Sequence, residues 1–159
     1  MDATELLISP IAHMPPRRAL DGLSSEQSGM RVPGASHSIV EIVAHIVFWQ
    51  SWFLDRCDGV ATPPAAKASL GWPTATAAEW DSLRERFLQG LDRALKIAVE
   101  ESAGVRRVHP PIEMPPLADY TVADAITHVA IHNAHHLGQI VTLRQIIGAW
   151  PPPEGSWTW

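Results

Sequence analysis

The chain has 159 residues, of which 46% are hydrophobic and 18% are charged, and its formal net charge is −5. This composition predicts one globular domain over residues 1–159 and excludes a disordered or fibrous chain. Lys and Arg number 12 against 17 acids, so there is no basic footprint for nucleic acid. Apolar runs are far shorter than the roughly 20 residues that cross a membrane. The acidic N-terminus has no secretory signal, so we expect a cytoplasmic protein with no membrane partner.

The N-terminal segment predicts one further helical element, which prolines kink or break. Residues 3–14 have helical character but contain Pro10, and the Pro15–Pro16 pair that follows must break any helix. Pro16 suits the first position of a second short helix in the sequence PRRALDGL.

Three longer segments each begin with a capping-box pattern, in which a hydroxyl accepts from the first turn and an acid reaches back to the cap. The pairs are Ser38 with Glu41, Thr76 with Glu79, and Thr121 with Asp124. Apolar residues at three- and four-residue steps then predict helices over 38–57, 76–102 and 121–148. No segment alternates in the manner of a strand. The sequence therefore predicts an all-α four-helix bundle.

The last helix carries four histidines within HVAIHNAHHLGQI, residues 128–140. At about 100° per residue, its apolar stripe continues through His132 and His136, which lie one turn apart on one face. Gln139 falls on the same inward face. His128 lies about 40° from His132, and His135 turns about 100° from His136 toward the flank. Buried imidazoles are unfavourable unless they are satisfied, so this stripe needs an explanation.

A metal ion is the simplest explanation. Two histidines four residues apart on a helix present two ligands to one ion, and a catalytic type of site needs a third. His45 fits, because it lies in mid-helix among apolar residues, although a single buried histidine is more often a hydrogen-bonded core residue. The predicted metal ligands are therefore His45, His132 and His136. His128 and Gln139 are candidates to orient a ligand or the substrate, and His128 could equally fill a packing gap.

Two segments of the chain resemble a known family. HSIVEIVAHIVFWQ and HVAIHNAHHLGQIVTLRQIIGAWPPP resemble the DinB-like superfamily, the DinB/YfiT-like metalloenzymes, from about His37 to the C-terminus. The resemblance implies a bacterial four-helix bundle with one divalent metal on three histidines, which map to His45, His132 and His136. Zinc or nickel is the expected metal, with iron or manganese in some members. The resemblance also implies a homodimer.

The resemblance further implies chemistry on small thiols. Related proteins transfer bacillithiol, isomerise maleylpyruvate with mycothiol, or conjugate glutathione. A metal on three histidines leaves a position for a thiolate or water, whose pKa it lowers. We therefore expect a metal-dependent thiol S-transferase or a related hydrolase, with a small thiol and an electrophile as partners. Two alternatives stay open: a metal-binding or stress-response bundle without turnover, and a structural bundle with a polar core.

Other residues give weaker signals. Cys57, the only cysteine, is expected to be an ordinary thiol near a helix end. The tryptophans of the C-terminal tail, Trp150, Trp157 and Trp159, are too apolar to leave in water, so we expect them to pack on the bundle or on a second subunit. The GWP segment at 71–73 is expected to do likewise.

Overall fold

A computed structural model describes residues 3–8, 13–63 and 67–156. Within these ranges it contains six α-helices, three short 3-10 turns and no β-strand, which confirms the all-α class. The helices are α1 (Ala3–Ile8), α2 (Pro16–Leu20), α3 (Ser25–Gly29), α4 (Ile39–Cys57), α5 (Trp80–Ala98) and α6 (Val122–Ile146). No helix in the described ranges combines the length and the apolar character that a bilayer crossing needs.

All three predicted capping boxes form, at Ser38, Thr76 and Thr121. The helix predicted over 76–102 is shorter than expected. Its first residues form a 3-10 turn, Ala77–Glu79, and α5 ends at Ala98, because the chain then enters a series of turns. The N-terminal region differs most from a plain four-helix scheme, since three short helices precede the three long ones.

The long helices α4 and α6 pack antiparallel at the centre of the bundle. His45 near the start of α4 lies beside His136, with ring centroids 4.6 Å apart, and Phe53 near its end lies 4.5 Å from His128. The apolar core falls into two clusters along this pair. One joins residues 39–47 of α4 to residues 137–143 of α6, and the other joins residues 52–57 to residues 122–130.

Polar side chains occupy the level between the two apolar clusters, which we call the polar seam. Its buried members are His45, Gln50, Asn133 and His136. The interruption of the apolar stripe that the sequence shows on the last helix is therefore a feature of the whole bundle. It places imidazole and amide groups at half height, between the two apolar clusters.

The C-terminal end of α6 is fixed by a buried arginine. The Arg144 guanidinium is 1% exposed and donates to the carbonyl oxygens of Ala19 at 2.7 Å and Ala149 at 3.0 Å. Gly148 adopts a left-handed conformation with φ of 71°, and the next amide returns to the Arg144 carbonyl. Trp150 packs against the core as predicted, whereas Trp157 and Trp159 lie outside the described residues.

Candidate metal centre

Three histidines from two helices converge at the polar seam. One ring nitrogen from each of His45, His132 and His136 lies within 4.8 Å of the others. His45 and His136 are 6% and 5% exposed, and His132 is partly buried. The structure therefore brings together the three residues that the facing argument selects from the sequence. A cluster of this kind could hold a metal ion.

A backbone carbonyl orients the imidazole of His45. Its Nδ1 atom donates to the carbonyl oxygen of Gly71 at 2.6 Å, so in a neutral ring the lone pair is on Nε2. That Nε2 atom lies 3.1 Å from Nε2 of His132. The hydrogen bond to Gly71 thus fixes both the tautomer and the direction in which His45 offers its free nitrogen.

Gln139 orients His136 in the same way. Nδ1 of His136 donates to Oε1 of Gln139 at 2.8 Å, which leaves Nε2 as the free nitrogen. The Gln139 side-chain amide also donates to Nε2 of His135 at 3.3 Å. The expectation that Gln139 faces inward is wrong, because the residue is exposed. Its amide reaches back by one turn and meets His136 at the edge of the cluster.

All three imidazoles are neutral at physiological pH. Burial lowers the pKa of His45 to about 4, although the bond to Gly71 opposes that shift. Burial, and then the neighbouring His136, lower the pKa of His132 to about 3. Burial also lowers the pKa of His136, against the opposing effect of Gln139. Only neutral imidazole can act as a metal ligand, so protons compete weakly with a metal here.

The donor set fits a borderline-soft divalent cation. Zinc bound to imidazole has Zn–N distances of about 2.0–2.1 Å, so two ligand nitrogens on a tetrahedral ion are about 3.3 Å apart. The nitrogens of His45 and His132 are 3.1 Å apart, which is close to that spacing. Three imidazoles with two of them fixed by hydrogen bonds are the pattern of a site with an open position for a further ligand.

A tryptophan from the loop after α4 stacks on the cluster. The centroid of the Trp72 ring lies 3.7 Å from that of the His45 ring at an angle of 11°. It lies 3.9 Å from the centroid of the His37 ring at an angle of 7°. Trp72 also meets the edge of His136, with centroids 5.6 Å apart. The expected packing of the GWP segment is confirmed, and its partner is the histidine cluster itself. His37 directly precedes Ser38, the N-cap residue of α4.

An apolar cavity of about 600 Å³ reaches His132. One wall is a face of α4 that includes Trp49, Trp52 and Phe53, and the other walls come from α6 and from the loop over residues 110–117. The volume lies within the range of about 300–1,000 Å³ that is usual for small-molecule sites. A ligand in this cavity would contact the partly buried member of the histidine cluster.

A second cleft reaches the same histidine from the exposed side of α6. It has a volume of about 490 Å³, and most of its lining residues carry a polar group, among them Tyr120, Asp124 and His135, although apolar atoms make up most of the lining surface. His128 and His132 line both spaces. His128 lies 3.2 Å from the Tyr120 hydroxyl and stacks near Phe53, and burial lowers its pKa. Its contacts combine packing with a position at the junction of the two spaces.

The remaining histidines do not join the cluster. His135 is exposed, as its helical angle predicts, although its ring lies 4.9 Å from that of His136, and His109 is also exposed. His13 contacts backbone carbonyls of Leu6 and Met14. Cys57 is fully buried, and burial raises the pKa of its thiol to about 12, which makes it a poor nucleophile.

The fold and the site together define an all-α bundle with a buried histidine cluster suited to a metal ion. The family model of the DinB superfamily matches residues 17–140, which is more than half of the chain. The chain belongs to the DinB superfamily. Searches of curated proteins and of solved structures find no significant match.

Proposed function

We propose that this protein binds one divalent metal ion, zinc or nickel, through His45, His132 and His136, and catalyses the reaction of a small thiol with an apolar electrophile. The observation that supports this most directly is the convergence of three neutral imidazoles beside an apolar cavity. A bundle with a merely structural polar core would not need ring nitrogens aimed at one point. Nor would it need a cavity of about 600 Å³ that reaches one of them, His132.

The chain prepares each imidazole for this role before any ligand arrives. Gly71 holds His45 and Gln139 holds His136, each through an Nδ1 hydrogen bond, so both rings present Nε2. Trp72 stacks on His45 and limits rotation of that ring. A divalent ion held by these residues would lower the pKa of a thiol bound to it and so favour the thiolate near neutral pH.

The two spaces that meet at His132 suit two different substrates. The polar cleft beside Tyr120 and Asp124 suits a hydrophilic thiol of the bacillithiol, mycothiol or glutathione kind. The apolar cavity suits the electrophile. Cys57 does not supply the sulfur, because it is buried and its thiol pKa is raised to about 12. The attacking sulfur therefore comes from a second small molecule.

The first test is metal content. Protein purified without an affinity tag and dialysed against zinc or nickel should hold close to one ion per chain, measured by inductively coupled plasma mass spectrometry. The melting temperature should rise when zinc or nickel is added to chelator-treated protein, because a ligand that binds only the folded state stabilises it. If neither metal is retained and neither raises the melting temperature, the proposal fails.

The second test is turnover. The zinc-loaded protein is incubated with bacillithiol, mycothiol or glutathione and a panel of apolar alkyl and aryl halides, and thioether formation is followed by mass spectrometry. Activity should require both the thiol and His132, and the His109→Ala variant serves as a matched control because His109 is exposed. A metal-loaded protein that converts no electrophile would favour the alternative of a metal-binding bundle without turnover.

The homodimer stays a prediction, which sedimentation analysis would test.

A further inference from the structure

We propose that the apolar cavity selects a ligand with an apolar body and a terminal carboxylate, and that Arg56 and Trp52 bind this carboxylate at the end of the cavity far from the His45, His132 and His136 cluster. The inference rests on the proposed function in one respect: the proposed function makes this ligand the electrophile, whose reactive end points toward the histidine cluster. The recognition of a carboxylate by Arg56 can be tested whether or not the protein is an enzyme.

Arg56 lies on the same face of α4 as His45. The two positions are eleven residues apart, which corresponds to about 16 Å along the helix axis. Around the axis, their directions differ by only about 20°. Trp49, Trp52 and Phe53 lie between them and line the cavity with Arg56. One face of α4 therefore has a histidine at one end, aromatic rings along its length and a cation at the other end.

Arg56 is buried without the partners that a buried guanidinium normally has. It is 5% exposed, and its Nε atom has no hydrogen-bond partner in the described part of the chain. Its side-chain hydrogen bond, from Nη1 to the carbonyl oxygen of Trp52, is long at 3.5 Å. The guanidinium carbon lies 3.6 Å over the Trp52 ring. Packing on an aromatic ring accommodates the flat faces of the guanidinium but not its N–H donors.

Trp52 supplies a second unpaired donor. Its indole Nε1 is buried and has no partner among the described residues, and the side chain is 5% exposed. Indole and guanidinium groups are donors only, so neither can satisfy the other. Both residues line the cavity, and each unpaired donor lies just beneath its surface with less than 1 Å² exposed. A ligand that brings acceptor oxygens would complement these donors once the side chains turn toward it.

The nearby acids are engaged or lie in solvent. Asp55 precedes Arg56, but its carboxylate accepts from Arg93 at 3.0 Å and from Thr62 at 2.5 Å. Glu113 also lines the cavity and is exposed. No ion pair to Arg56 occurs in the described ranges of the chain. Burial lowers the pKa of Arg56, against the opposing effect of Asp55, but arginine keeps its charge in proteins.

These features select a monoanion. A carboxylate accepts two parallel hydrogen bonds from a guanidinium fork, and its single charge balances that of Arg56. A phosphate dianion would leave one negative charge unbalanced in an apolar space, with Glu113 nearby. The aromatic rings between Arg56 and His132 suit an alkyl or aryl body. With the carboxylate at Arg56, the opposite end of the ligand lies toward His132.

The test compares three probes that differ only in the head group: octanoate, 1-octanol and octylamine. Binding to the zinc-loaded protein is measured by isothermal titration calorimetry, with the quenching of tryptophan fluorescence as a second readout. Octanoate should bind at least ten-fold more tightly than octanol, and octylamine should bind most weakly. Equal affinity for octanoate and octanol in the unmodified protein would overturn the inference, as would the absence of binding by all three. Neither result depends on a variant that folds.

The same titrations on chelator-treated protein locate the carboxylate, because a carboxylate can also bind a metal ion. The preference for octanoate should persist without metal, and its loss would place the carboxylate at the histidines and overturn the inference. Arg56→Met should abolish the preference and leave the affinity for octanol within about two-fold. Arg17→Met is the matched control, because Arg17 is exposed. Zinc content is measured on every sample, so a protein that prefers octanoate but holds no zinc counts against the proposed function alone.

Discussion

The Nδ1 atom of His45 donates to the carbonyl oxygen of Gly71 across 2.6 Å, and this bond joins the long helix α4 to the loop that follows it. Gly71 packs directly against the indole ring of Trp49, which is possible because glycine has no side chain. A Cβ atom at this position would lie 2.5 Å from Nε1 of Trp49. A side chain at residue 71 would therefore displace the indole of Trp49 or shift the carbonyl that holds His45.

We expect Gly71→Ala to weaken metal binding, because the new methyl group displaces either Trp49 or the carbonyl that holds His45. Loss of such a supporting hydrogen bond typically costs about 10–100-fold in metal affinity. Competition with a chelating zinc indicator measures the change. Gly104→Ala is the control, since a Cβ there meets nothing within 4 Å. Equal zinc affinity in both variants would show that the Gly71 carbonyl is dispensable.

Single replacement of His45, His132 or His136 by Ala should reduce zinc affinity by more than about 100-fold. This loss exceeds the one expected for a supporting hydrogen bond, because a direct ligand is removed. His135→Ala should retain close to one zinc per chain, because His135 points outward. Zinc per chain after gel filtration provides the comparison. A His135 variant that loses metal while the His136 variant keeps it would disprove the assignment by helical face.

The buried imidazoles predict a loss of stability in mild acid. The pKa of His45 is about 4 and that of His132 about 3 in the folded chain, whereas an unfolded histidine titrates near 6.5. Below about pH 6.5 the unfolded chain binds protons that the folded chain does not. The free energy of unfolding therefore has its maximum value above pH 6.5 and decreases as the pH falls toward the folded-state pKa values. Urea denaturation of metal-free protein at pH 7.5 and 5.5 should show the drop. His132→Ala should show a smaller one, and an equal drop in both proteins would refute this cause.

Cys57 should resist alkylation in the folded protein. Its side chain is fully buried and burial raises the pKa of the thiol to about 12, so almost no thiolate is present near neutral pH. Mass spectrometry after brief exposure to iodoacetamide at pH 7.5 should find the chain unmodified, and the same treatment in 6 M guanidinium chloride should add one adduct. Rapid modification of the native protein would mean that the thiol is accessible and would reopen its role.

Arg144→Met should destabilise the bundle. The substitution keeps most of the packing volume but leaves the carbonyl oxygens of Ala19 and Ala149 without their donor, at about 1–3 kcal/mol for each buried group. Arg17→Met, which removes only an exposed ion pair with Asp92, should change stability by about 0–1 kcal/mol. Urea midpoints measure both. Similar effects of the two substitutions would mean that the Arg144 contacts contribute little.

The sequence predicts the helices and the histidine cluster because both depend on periodicity. Capping boxes mark the starts of α4 and α6, and the helical angle separates His132 and His136 from His135. The short helix α3 went unpredicted, although Ser24 and Gln27 form its capping box. Five residues are too few to show an apolar period.

The surroundings of the cluster could not be predicted, because they come from loops. Gly71 and Trp72 reach His45 through a loop path that no local pattern specifies. Gln139 was placed on the wrong face because its long side chain folds back to His136. The placement of Arg56 does follow from the sequence, since its position eleven residues after His45 puts it on the same helical face.

The polar seam divides the bundle into two blocks, each made from one half of α4 and the opposite half of α6. Side chains at the seam gain least from burial, and the Nε2 atom of Gln50 and both polar atoms of the Asn133 amide have no partner in the described ranges. Amide hydrogen exchange should therefore be faster at this level than in either block. An ion that joins His45 on one helix to His132 and His136 on the other would then couple two cooperative units that otherwise meet across their weakest layer.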